Sequence, residues 1–266
     1  MPSPTVIKPE DPPGFVVSKE AQKAAFDNGF RLERGVEAGW LRYGSTTAKG
    51  EIWIAGASAS GPWLLSVERA EIVAEIAVSP SPFLTGPGAA SYAFATLRQL
   101  YAVLDRVYRL GVSLPDVPLA VFRKRVQGLP MTTEAECLVV QRVGQDVFRK
   151  ALLAYWGGRC PLTGIAEPAL LRASHILPWA ECGSDEQRLD VHNGLLLSAL
   201  WDAAFDAGLV SFADDGSVLV SPRLGPAAAE ALGLKMGTKL DGLTVTHRAN
   251  LDWHRKRYGF HPPAEA

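Results

Sequence analysis

The sequence predicts an α+β protein of two domains. Three observations carry that expectation: two short strand-like runs followed by helical spacing in the first half, a break in character at QGLPMTT (127–133), and then a long helix leading into the order strand, loop, strand, helix. With 266 residues, 47% of them hydrophobic, the chain can bury a core large enough for one or two domains. The expected division is a tail over 1–14, an N-terminal α/β domain over 15–128 and a second domain over 129–266.

In the first domain, GEIWIAGA and GPWLLSV read as strands joined by a turn of small residues, and SVERAEIVAEI reads as an amphipathic helix. After a proline- and glycine-rich loop, Phe94, Leu97, Leu100, Tyr101, Leu104, Val107 and Tyr108 recur at helical spacing, predicting a helix over 92–110. In the second domain, Thr133 and Glu136 form a capping-box pattern at the head of a helix that Gly157 and Gly158 stop. LLRASHILPW then reads as a strand closed by Pro178, and GLLL at 194–197 as another. Ser198 is placed to cap a helix over about 199–207, with Gly208 as its left-handed stop.

Composition excludes several classes. Residues 76–97 are uncharged, but their prolines, glycines and hydroxyls argue against a membrane span. The opening MPSPTVIKPEDPPG lacks the apolar stretch of a secretory signal, so a disordered tail and a cytoplasmic protein are expected. Cys137, Cys160 and Cys182 form no C-x-x-C pair, which points to reduced thiols and to no structural zinc. A net charge of −1 gives no general attraction to nucleic acid, so binding to it would use local clusters, RKR at 123–125 or HRKR at 254–257.

One pair of residues stands out. Asp202 and Asp206 sit four apart on the short helix and are read as lying close to its C-terminal end, the helix limits putting Asp206 in the last turn, where the unpaired carbonyls disfavour negative charge. RCPLTG (159–164), ASHILPW (173–179), RLDVHNGLLLSALWDAAFDAGL (188–209) and LDWHRKR (251–257), with the helix RVGQDVFRKALLAYW (142–156), resemble the HNH endonucleases, specifically the subgroup common in bacterial restriction enzymes. The resemblance covers roughly residues 134–260 and leaves the first domain to target recognition or assembly.

It implies a ββα-metal core in a restriction-type DNA endonuclease, modification-dependent or not. His175 takes the place of the general base, Asn193 that of the residue positioning base and hairpin, and Asp202 and Asp206 those of metal ligands. A cation between the carboxylates would turn their repulsion into attraction. Oxygen ligands favour magnesium, with manganese substituting. One departure concerns the ligand set: many HNH nucleases carry aspartate or histidine just before the base, and this chain has Ser174. Either Asp202, Asp206 and waters hold the ion, or Asp190 completes the site. Arg188 is placed to order the loop with Asp190 or to face DNA, His192 is read as a loop residue or a phosphate contact, and Arg255, Lys256 and Arg257 as phosphate contacts or a solvated face. Trp179, Trp201 and Phe205 read as packing around the hairpin. One base and one ion cut one strand, so a double-strand cut implies a homodimer or successive nicks. The rival functions are a DNA-binding protein with an inactive core and a structural metal protein.

Overall fold

The computed structural model describes residues 6–130 and 132–260. Two compact units divide the chain, residues 1–112 and 113–266.

The first unit opens with α1 (Phe15–Asp27), which buries Val17, Ala21, Ala24 and Ala25 along one face. β1 (Leu32–Glu37), β2 (Trp40–Gly44), β3 (Ile52–Gly56), β4 (Trp63–Val67) and β5 (Ala90–Phe94) form one antiparallel sheet in sequence order. β3 and β4 are buried at every position, which is why their apolar runs show no alternation. α2 (Ala70–Val73) and α3 (Leu97–Ser113) complete the unit.

Three expectations are corrected here. The amphipathic helix shrinks to α2, because Ser66 and Val67 are already committed to the β4–β5 ladder. The helix expected from Tyr92 begins only at Leu97, since Tyr92 and Phe94 alternate on β5. Residues 6–14 are not a disordered tail: Ile7 N–H donates to Phe83 O and Glu10 N–H to Gly56 O, both at 2.8 Å. Residues 1–5 of that segment lie outside the described residues.

The second unit begins with α4 (Asp116–Val126), which packs against α5 (Glu134–Tyr155) and α6 (Asp185–Leu189), so this segment groups with the C-terminal half. The capping box at the head of α5 forms between Thr133 and Glu136. β6 (Leu171–His175) and β7 (Gly194–Ser198) pair antiparallel with His175 opposite Gly194, and α7 (Ala199–Asp206) follows directly. Ser198 occupies the N-cap of α7 without a side-chain cap bond. A hairpin of β8 (Val210–Phe212) and β9 (Val218–Val220), then α8 (Pro226–Ala231) and α9 (Val245–Tyr258), close the unit. Ile176, Leu195, Leu197, Trp201, Phe205, Phe212 and Leu251 form its core beneath α7, each worth about 1.5 to 3 kcal/mol when fully buried. Among the described residues no helix is long and apolar enough to cross a membrane.

Candidate functional site

A cavity of about 470 Å³ opens over the hairpin, lined in part by Ser174, His175, Asp202, Asp206, Trp253 and Tyr258. His175 ends β6 with Phe148 stacked on its ring at 3.8 Å between centroids and the Trp179 edge at 5.7 Å. Two glycines make room for this packing. A Cβ on Gly194 would lie 2.5 Å from the Phe148 ring, and one on Gly144 would lie 2.3 Å from Trp179. Gly194 is extended β7 backbone, so close approach by α5, and no turn, accounts for it.

The His175 ring is fixed in tautomer as well as in place. Nε2 lies 2.9 Å from the Arg188 carbonyl, which can only accept, so Nε2 carries the proton in the neutral ring. Nδ1 is left with its lone pair and has no hydrogen-bond partner among the described residues. Burial holds the His175 pKa below the ordinary histidine value, with the Arg188 carbonyl working in the other direction. The ring is therefore neutral near pH 7 and able to take a proton.

Asn193 is fully buried and works on the backbone between the strands. Its Oδ1 accepts from Leu177 N–H at 2.8 Å, and Nδ2 donates to Leu177 O at 3.1 Å and Gln187 O at 3.2 Å. The loop carrying the Arg188 carbonyl is thus tied to the end of β6. Arg188 belongs to the same clamp: it donates to Cys182 O at 2.9 Å, pairs with Asp185 at 3.0 Å and lies over the Trp179 ring. Asp190 makes no ion pair with Arg188 among the described residues and is not among the residues that line the cavity; it bonds His192 Nδ1 at 2.8 Å and caps the turn beginning at Val191.

The carboxylates differ from their expected setting. Asp202 lies in the first turn of α7 and Asp206 is its last residue, so only Asp206 stands at the unfavourable pole. Ser174 Oγ donates to Asp206 Oδ1 at 3.3 Å. Desolvation raises both acids; the charge of Asp202 raises Asp206 further, while Ser174 lowers both and Arg172 lowers Asp202. Neither makes an ion pair among the described residues, and no group of three or more His, Cys, Asp and Glu there is placed to hold a metal ion.

The geometry separates the basic tail. Arg255 is buried, donating to Phe212 O at 2.8 Å and pairing with Asp214 at 2.9 Å, so its guanidinium is spent on partners inside the unit. Lys256 and Arg257 face solvent, Lys256 bonded to Asp252 at 2.6 Å. In the other cluster, Arg123 pairs with Glu186, and Arg125 with Asp146 at 2.7 Å.

Residues 160–213, which hold this hairpin and helix, match the family model of the HNH endonucleases. The segment belongs to the HNH endonuclease family. A comparison with curated proteins gave no match. Sequence reasoning missed the residues that shape the candidate site by packing, Phe148, Gly144 and Gly194, and the donors Tyr258 and Arg223 at the end of α7. The i, i+4 spacing of Gly144 and Phe148 on the apolar face of an amphipathic helix was the available signal for the first two.

Proposed function

We propose that this protein is a metal-dependent DNA endonuclease of restriction type, with His175 as general base and Asp202 and Asp206 as metal ligands. The observation that carries the reading is a neutral, ring-stacked histidine, its Nδ1 without a hydrogen-bond partner among the described residues, in the same cavity as two carboxylates that make no ion pair there. His175 Nδ1 takes a proton from water, and the resulting hydroxide attacks the phosphorus in line. The scissile P–O3′ bond breaks, leaving a 5′-phosphate and a 3′-oxygen that takes its proton from water. Asn193 and Arg188 hold the loop whose carbonyl fixes the tautomer, and Phe148 holds the ring.

The donor set fits a hard ion. Two carboxylates and a hydroxyl fall short of a full shell, as suits magnesium, which keeps waters and takes substrate phosphate oxygens. Bound there, the ion would stabilise the charge on the phosphoryl oxygens and on the leaving 3′-oxygen. The protein acts as a homodimer, or nicks twice, to cut both strands, and its first unit selects the target or assembles the dimer.

Plasmids with and without modified bases, incubated with protein and magnesium or manganese, test the activity; metal-dependent cutting is the expected result. Manganese should raise the wild-type melting temperature, because a ligand of the folded state alone stabilises it. Asp202→Asn should abolish cutting and that shift together. Its metal-free melting temperature should be equal or higher near pH 7: an acid raised on folding contributes stability when protonated and loses it as pH rises through the folded pKa. Tight DNA binding without cleavage in either metal would favour an inactive core, the reading that Ser174 keeps open.

A further inference from the structure

The last carbonyls of α7 are met by side chains from elsewhere in the unit. Phe205 O lies 3.1 Å from His254 Nε2, Asp206 O accepts from the Tyr258 hydroxyl at 2.7 Å, and Ala207 O and Gly208 O accept from Arg223 Nη2 at 3.0 and 2.8 Å. These four acceptors are consecutive, at a helix end whose carbonyls ordinarily turn to water. The donors are themselves held. Ser211 Oγ lies 3.0 Å from His254 Nδ1, which it must reach as donor because Nε2 carries the proton that Phe205 O accepts. His254 stacks on Phe205 at 3.8 Å, and the Tyr258 ring covers Gly208 so closely that a Cβ there would lie 2.1 Å from it.

We infer that Tyr258, Arg223 and His254 are positioning residues that clamp the end of α7 and so hold Asp206 in place for a metal ion. The inference rests on the metal reading of the Asp202–Asp206 pair. Asp206 ends the helix, where backbone ordinarily frays, and a ligand on a frayed end must be ordered each time an ion binds. Here Ser174 holds the carboxylate and Tyr258 holds the carbonyl of the same residue. Position and charge can be told apart at Arg223. Removing its positive charge would by itself favour a nearby cation, so weaker binding in an Arg223 variant reports lost position.

Manganese affinity is measured by titration calorimetry on wild type, Tyr258→Phe, Arg223→Gln and Asp206→Asn, with metal-free melting curves for each. Tyr258→Phe removes one oxygen and keeps the ring over Gly208. Each of the two clamp variants should bind manganese about two- to tenfold more weakly, the scale of one hydrogen bond, and the manganese concentration for half-maximal cleavage should rise in parallel. Lower melting temperatures with wild-type manganese affinity in Tyr258→Phe and Arg223→Gln, while Asp206→Asn binds weakly, would overturn the inference and leave the metal reading standing. Wild-type affinity in Asp206→Asn would overturn the metal reading and the inference with it.

Discussion

His175 and His254 are built almost alike. Each stacks on a phenylalanine at 3.8 Å, each gives Nε2 to a backbone carbonyl, and burial lowers the pKa of both, that of His254 to about 4. They differ at Nδ1. His254 has Ser211 there, so both nitrogens are spent and the ring is a strut; His175 has no such partner among the described residues and its nitrogen is open to chemistry. A buried histidine with a lowered pKa is therefore no sign of catalysis until both of its nitrogens have been accounted for.

Truncating the two rings should separate them. His175→Ala should lower cleavage by about 100- to 10,000-fold, the range for loss of a general base, with DNA affinity nearly intact by gel shift; near-normal turnover would break the distinction. His254→Ala should show first in the melting curve, with cleavage lowered only as far as the loosened end of α7 weakens the metal site. It opens a cavity and strands two partners, a loss of about 3 kcal/mol on the scale of large-to-small core changes, and a fully stable variant would show that His254 is no strut.

The smallest effect concerns the surface of α9, where burial splits what the sequence ran together. Neutralising Lys256 or Arg257 should flatten the salt dependence of DNA binding by about one unit for each phosphate that is no longer neutralised. An unchanged slope in the double variant would assign them to solubility. Arg255 lies outside this test, because its removal would uncover Asp214 and the Phe212 carbonyl.

What the sequence made legible follows the reach of its signals. The α5 cap, the two strands of the HNH hairpin and the span of α7 are local patterns, and each is present. β1 and β2 left no usable signal: their tight turn places Ala38 and Gly39 at φ 48 and 79, where Asn-Gly or Asp-Gly would normally announce it. The start of α3 had a signal, Thr96 and Gln99 bonded to each other as a capping pair, but the alternation of Tyr92 and Phe94 could also be fitted to a helix. The inward turn of Arg255 was invisible because it depends on Phe212 and Asp214, more than forty residues away in sequence. The polarity of the Asp202–Asp206 pair was misread for a simpler reason. On a helix of 8 residues, four positions separate the first turn from the last.

The pH dependence of single-turnover cleavage, at saturating manganese, tests the role of His175 most directly. A base whose pKa is lowered by burial is already deprotonated at pH values where an ordinary histidine is charged. The rate should therefore rise with pH and level off with a midpoint below the ordinary value of about 6.5, and His175→Ala should lose both the rise and the rate. A rate that falls as pH climbs through that range, or a His175→Ala profile that overlays the wild type, would contradict it.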